Sequence, residues 1–463
     1  MTQDLDTTPG TTGARGKQRL ALREKLGYGI GDFGFNLYWA NISAFLLIFY
    51  TDVMGLAAAA VGTMMLVTKL VDAVTDPLMG ALADRTRTRW GRFRPYLLFG
   101  ALPLAACGVL TWTVPGVDPG GKLLWAYATF TLMMLAYTVL AMPYSALSGV
   151  MTADSQQRTT LISFRFIAAF AGTTVVNWLT LDLVRWLGRG DEPLGWQLTL
   201  GLYGLVACLC FVAVFASTRE RIAPPPQQKS PVRQDVADLL RNRPWLVLFV
   251  LALVIMVTII MRSGTLVYYL KYYVGRPELT GLFLGSYSVA LAVGAALTPL
   301  LTRFMDKRAA MMWLMAGVGL VSCAMYLVPT EQIWLTLGLN TLVGLMLGPK
   351  SPLAFSMYAD CADYTEWKTG RRATAMTFAA AAFSQKLGGA LASAAIAWML
   401  AAMGYVANQA QSDASLTGIA LLLTVIPGVV ALLAALVMRA YPLDAAQLEH
   451  IQDDLRKRRE AMQ

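Results

Sequence analysis

Apolar residues in this chain fall into long, nearly unbroken runs separated by short polar breaks. Crossing about 30 Å of hydrocarbon takes about 20 mostly apolar residues. Twelve runs meet that length, at 28–50, 57–82, 96–115, 122–150, 161–187, 196–217, 244–272, 279–302, 310–328, 332–357, 374–404 and 415–440. Each is predicted to be a transmembrane helix, because backbone in lipid must satisfy its own hydrogen bonds. Residues 1–27 are rich in Thr, Gly and basic side chains and have no apolar core, which predicts a cytosolic arm and not a cleavable signal. The longest polar break, 218–243, contains Pro224-Pro225-Pro226 and Ser230-Pro231. It is predicted to be a cytosolic linker between six-helix bundles at 28–217 and 244–440, with a cytosolic tail at 441–463.

Composition agrees with the pattern. Hydrophobic residues make up 56% of the chain and charged residues 14%, with 12 Trp, 18 Phe and 23 Met. That excludes a soluble globule, a disordered chain and a disulfide-stapled module. The one histidine, His450, lies in the charged tail, so neither a zinc site nor a Ser-His-Asp triad is expected within the spans. Cys107, Cys208, Cys210, Cys323 and Cys361 are scattered through apolar runs and read as small apolar fillers. No cofactor is expected.

Charge sets the orientation. With both termini in the cytosol, 28 of the 38 basic residues fall on cytosolic segments, while the outer loops hold only Lys122, Arg185, Arg189, Lys271 and Arg276. This follows the positive-inside rule and predicts a multi-pass protein of the cell's inner (plasma) membrane. The net charge of +10 is thereby assigned to anionic lipid heads and not to nucleic acid.

The two halves echo each other. Phe49-Tyr50-Thr51-Asp52 parallels Tyr272-Tyr273, Asp84-Arg85 parallels Asp306-Lys307-Arg308, and Met151-Thr152-Ala153-Asp154 parallels Met357-Tyr358-Ala359-Asp360. An all-α membrane fold of two six-helix repeats, the major facilitator arrangement, places a substrate site near the midplane between them.

Ionisable groups inside spans are costly unless paired or hydrated, so each is a functional candidate. They are Asp32, Lys69, Asp72, Asp76, Arg165, Arg262, Lys350 and Lys386. Lys69-Leu-Val-Asp72-Ala-Val-Thr-Asp76 sets three charges on one helix face through spacings of three and four. That face sums to −1 and lacks one cation. The two carboxylates, Thr75 and a hydroxyl from another helix could hold a monovalent ion, or one aspartate could bind a proton. The alternative is a fixed ion-pair network joining helices. The Arg-dense cytosolic loop from Asp84 and Arg85 to Arg92 and Arg94 has no phosphate-binding glycine motif. It reads as an orientation signal and a gating set of ion pairs that latches one state.

Several stretches together resemble one family: Tyr28-Gly-Ile-Gly-Asp32-Phe-Gly, Phe49 to Val53, Lys69 to Asp76, Arg87 to Pro95, Ala359 to Gly370, and Gln385-Lys386-Leu387-Gly388. The chain resembles the glycoside–pentoside–hexuronide:cation symporters of the major facilitator superfamily, over about 28–440. The resemblance implies uptake of a glycoside coupled to Na+, H+ or Li+. It puts Asp72, Asp76, Thr138 and Lys386 at the cation site, with Thr75 in place of an asparagine, and Lys69 in place of a sugar-site arginine. Asn36 and Ala141 stand where the galactoside carriers have aspartates, Ser145 replaces a tryptophan, and Arg165 lies one place from a sugar-binding arginine. Ala141 cannot accept a hydrogen bond, so α-galactosides are not the expected substrate. A uronate held by Arg165 would suit the donor-rich set.

Three other readings remain. A lipid or amphiphile transporter would show few hydrogen-bonding side chains toward the central cavity, whereas a sugar transporter needs many. A non-transporting sensor would need an output domain, which 441–463 is too short to be. No nucleophile–base or metal constellation suggests an enzyme. The expected partners are a small sugar and membrane lipid, and one copy of the chain is expected to suffice.

Overall fold

The computed structural model describes residues 20–152, 155–221, 239–370 and 374–460. Its first half contains α1 (Leu22–Ala44), α2 (Ala58–Arg85), α3 (Arg94–Thr111), α4 (Pro119–Met151), α5 (Ser155–Gly188) and α6 (Glu192–Ser217). The second half contains α7 (Arg243–Tyr268), α8 (Thr280–Ala296), α9 (Lys307–Met325), α10 in two parts (Ile333–Leu347 and Lys350–Thr369), α11 (Thr374–Ala402) and α12 in two parts (Asp413–Leu423 and Val425–Arg439). A last helix, α13 (Ala445–Glu460), follows. Among the described residues, nine helices are long and apolar enough to cross a membrane, and the first span, bent by 56° before Leu46–Val53, makes a tenth. The other two expected spans, the broken α10, whose second part carries Asp360, Asp363, Glu366 and Lys368, and α11, are helical but do not meet that measure.

Two boundaries differ from the sequence expectation. Helix α1 starts at Leu22, inside the stretch predicted as an arm. Glu24 explains this: its carboxylate accepts from the Ala21 N–H at 3.1 Å, capping the helix, and pairs with Arg221 at 2.6 Å. The predicted tail folds as α13, which buries Ile451 and Leu455 and accepts a hydrogen bond from the Trp367 indole at Asp454, 3.1 Å. Of the predicted linker, residues 222–238 lie outside the described residues, as do Ala153 and Asp154.

The internal repeat is visible at atomic detail. The spans of α1 and α7 both end in a five-residue π-turn, Phe49–Val53 and Tyr269–Tyr273. Met54 N–H donates to Phe49 O at 2.9 Å and Val274 N–H to Tyr269 O at 3.0 Å. Both turns close on a left-handed glycine, Gly55 (φ 79°) and Gly275 (φ 74°), a conformation that costs glycine little. Between the halves, α1 packs on α7, α2 on α11 and α5 on α8.

Within the first half, α1 and α5 touch backbone to backbone. A Cβ on Gly172 would meet Phe33 O at 2.8 Å, and one on Gly29 would meet Phe164 O at 3.0 Å. Small residues at such crossings drive helix association in lipid. Gly172→Val is therefore expected to separate the two helices and destabilise the protein by about 1–3 kcal/mol, as overpacking does. Thermal unfolding of the purified protein in detergent checks this; an unchanged midpoint would refute the tight crossing.

Candidate ion and substrate site

Helix α2 places Lys69, Asp72 and Asp76 along one face, and close packing brings α11 against it. A Cβ on Gly62 of α2 would lie 2.6 Å from the Ala397 Cβ of α11. That proximity lets Lys386 of α11 reach both acids. Its ammonium donates to Asp72 Oδ2 at 3.0 Å and, in a very short contact, to Asp76 Oδ2. From α4, Thr138 donates to Asp72 Oδ1 at 2.7 Å and lies 3.1 Å from Asp76 Oδ1. With a single hydroxyl proton, Thr138 serves one carboxylate at a time. Asp72 is 2% exposed, so its charge depends on these partners. Four of the five residues expected at a cation site thus meet. Thr75 does not join them: its hydroxyl donates to the Asp72 backbone carbonyl at 3.1 Å.

Lys69 shares the face but not the pairing. Its ammonium sits 4.2 Å from the centre of the Trp39 ring, a cation–π contact. The cation that the α2 face lacks comes from Lys386 instead, across the boundary between halves.

A second centre joins α1, α4 and α5. Arg165 pairs with Asp32 through Nε in a very short contact, and its Nη1 lies 3.3 Å from the Tyr28 hydroxyl. Tyr144 donates to Asp32 Oδ2 at 3.1 Å. Asp32 lay among the charges noted in the sequence without a site role. Its partner could not be read from a chain position 133 residues away. Arg165 is thereby occupied by Asp32, which removes the free fork that a uronate would need. Arg262, the other buried arginine, donates to Ser322 at 2.9 Å and Asn340 at 2.8 Å and ties α7 to α9 and α10.

Between the halves lies a cavity of about 300 Å³, at the small end of ligand pockets. Its walls come from α1, α5, α7, α8 and the second part of α10, and about half of its lining residues carry hydrogen-bonding side chains. Asn36 lines it, holding its amide through Asp32 O (2.8 Å) and the Thr173 hydroxyl (3.1 Å). Trp39, the ring beneath Lys69, lines it as well. Lys69, Ala141, Ser145 and Arg165 are not among its lining residues; Ala141 packs against the apolar core and Ser145 is exposed.

The basic loop is organised within the first half. Glu220 accepts from the backbone N–H groups of Arg92 (2.8 Å), Phe93 (2.8 Å) and Arg94 (3.1 Å). The Arg94 guanidinium donates to Phe215 O. Arg85 is exposed, and the Asp84 side chain lies outside the described residues. A contact that does cross between halves sits at the opposite end, on the first π-turn. Asp52 accepts from Lys271 Nζ at 2.6 Å and, in very short contacts, from the Tyr272 and Tyr405 hydroxyls. Asn408 donates to Asp52 O at 2.6 Å. The sequence marked Asp52 only as part of a repeat; the echo of Phe49-Tyr50-Thr51-Asp52 in Tyr272-Tyr273 was the available signal.

The profile of the family described as MFS/sugar transport protein matches residues 27–445. The chain belongs to that family. It is 37% identical to the inner membrane symporter YicJ of Escherichia coli over 94% of this chain and 95% of that protein. It is 36% identical to the putative glycoside/cation symporter YagG of the same organism, over 96% of each. Among solved structures it resembles the nucleoside transporter NupG, with a TM-score of 0.66 and 12% identity over 91% of this chain and all of that one. The fold is that of the major facilitator transporters, in agreement with the sequence reading.

Two outcomes follow from the geometry. Lys386→Gln leaves two carboxylates facing each other without their ammonium; breaking a buried pair costs about 3–5 kcal/mol. Its thermal midpoint is expected to fall, and adding the coupling cation should raise it more than in the parent protein, with choline chloride as the ionic-strength control. Asp52→Asn is expected to loosen the far end and increase maleimide labelling of a cysteine placed at Val267, in the vestibule beside Asp52 and Lys271. Unchanged labelling would show that the cluster is not a latch.

Proposed function

We propose that this protein is a secondary active symporter that moves a glycoside together with a monovalent cation, Na+ or H+, by alternating access between its two halves. The observation that carries the reading is Lys386 of one half bound to Asp72 and Asp76 of the other. A cation or proton arriving at these carboxylates takes over the role of the ammonium, because two acids cannot keep both counter-charges at full strength. Lys386 is then released, and the α2–α11 tether loosens with it. Ion occupancy is thereby tied to relative movement of the halves, and the cavity between the halves supplies the sugar site. Its hydrogen-bonding lining favours a sugar over a lipid or amphiphile cargo. The basic loops face the cytosol, both termini lie there, and the membrane is the inner membrane, as in the name of the similar symporter. One copy holds both halves and the whole cavity.

Uptake into proteoliposomes under separate sodium and proton gradients tests the reading and names the ion. Asp76→Asn removes one charge from the cation face while Asp72 still holds Lys386. It is expected to lose gradient-driven accumulation more than tenfold and to keep measurable sugar exchange. Full accumulation by this variant would overturn the assignment of the cation site.

A further inference from the structure

Helix α10 is broken at Gly348-Pro349, and a new helix of 20 residues begins at Lys350. The sequence enforces the break, since neither Pro349 nor Pro352 has an N–H to continue the ladder. Packing holds it in place: a Cβ on Gly348 would meet Leu291 O of α8 at 2.3 Å. The first two residues of the new helix, Lys350 and Ser351, line the central cavity. In transporters, half-helix N-termini at the midplane carry partial positive charge and face anionic groups of the substrate.

The Lys350 side chain gives independent support. The other cations within the spans have partners: Lys69 lies on Trp39, Arg165 pairs with Asp32, Arg262 bonds to Ser322 and Asn340, and Lys386 bridges Asp72 and Asp76. Lys350 alone among these has no hydrogen bond, ion pair or cation–π contact with any described residue, and none of the residues lining the cavity is acidic. An ammonium at this depth is costly without a counter-charge. The described residues supply none, so the natural counter-charge is the cargo.

We propose that Lys350, together with the start of its helix, seats an anionic substituent, and that the preferred substrate is a monoanionic glycoside bearing a carboxylate or a sulfonate. The proposal rests on the symport reading for its site and goes beyond it in naming the charge of the sugar. It also moves anion recognition away from Arg165, which Asp32 occupies, to a residue on the opposite half. Asn36 and Asn177, across the cavity, remain to bond the sugar hydroxyls.

The test measures equilibrium binding to the purified full-length protein, with methyl β-glucuronide, methyl β-glucoside and the methyl glycoside of a 6-sulfonated glucose as probes. The parent protein is expected to bind at least one anionic probe more than tenfold tighter than the glucoside. Losing a charge-assisted hydrogen bond typically weakens binding about ten- to hundredfold, and Lys350→Gln should do this to the anionic probe while weakening the glucoside by less than about threefold. Lys350→Arg, which keeps the charge, should retain most of the preference and serves as the folding control. Whichever anion binds tighter distinguishes carboxylate from sulfonate. Equal affinity for charged and neutral probes in the parent protein, or equal loss for both in Lys350→Gln, would overturn the proposal. Cation-driven glucoside uptake without anion preference would refute this inference alone. A Lys350-dependent preference without gradient-driven uptake would support it and refute the coupling reading.

Discussion

The contact between Lys386 and the Asp72–Asp76 pair is the constraint from which the rest of the arrangement follows. Two carboxylates four residues apart on one helix repel each other, and Asp72 is almost wholly removed from water. Their facing charges call for something positive between them. The protein meets that need with a side chain from its other half, reached because α2 and α11 pack tightly at Gly62 and Ala397. The same ammonium that satisfies the acids therefore also fastens one half to the other. An ion that competes for the carboxylates necessarily competes for the fastening, which makes chemical coupling and mechanical coupling one event.

The remaining membrane charges are handled in three physically different ways. Arg165 is matched by a carboxylate, Asp32, and further enclosed by Tyr28 and Tyr144. Arg262 is held by neutral acceptors, Ser322, Asn340 and the Leu423 carbonyl, which suits a scaffold at the centre of one half. Lys69 rests its charge on the face of an indole, a weaker partner that leaves its hydrogens free beside the cavity wall. Graded this way, the charges separate structural cations from those with bonding capacity to spare.

The sequence disclosed the fold more fully than the site, and the reason is distance along the chain. Each span is a local property of about 20 residues, so runs of apolar side chains were enough to mark the helices. The breaks within them also had local signals: Pro349 and Pro352 in α10, and Gly55 and Gly275 after the π-turns. The face formed by Lys69, Asp72 and Asp76 was local too, through helical spacing. What spacing could not supply was partnership. Whether Arg165 meets a sugar or Asp32, and whether Asp52 is surface or latch, depends on helices more than 130 residues apart in sequence. Thr75 shows the same limit at short range, since its side chain turned back to its own helix, as threonine often does. Likewise, Glu24 and Arg221 extended α1 into the predicted arm through a contact that only the folded chain reveals.

The acids and bases that cross the boundary are divided unequally: Asp52, Asp72 and Asp76 come from the first half, and Lys271 and Lys386 from the second. The two crossings differ in how their charges are partnered. Lys271 and Asp52 line a cavity that also holds Arg185, Asp191 and Glu192, although the Asp52 side chain is itself only 3% exposed. Asp72 is buried alike, 2% exposed at its side chain, and parting it from Lys386 without a replacement would strand a buried charge at a cost of several kcal/mol. At the far end one carboxylate has a lysine and the Tyr272 and Tyr405 hydroxyls to itself, while Asp72 and Asp76 share one ammonium. On the proposed reading, that shared ammonium, and not a difference in burial, draws the coupling ion to Asp72 and Asp76 and not to Asp52.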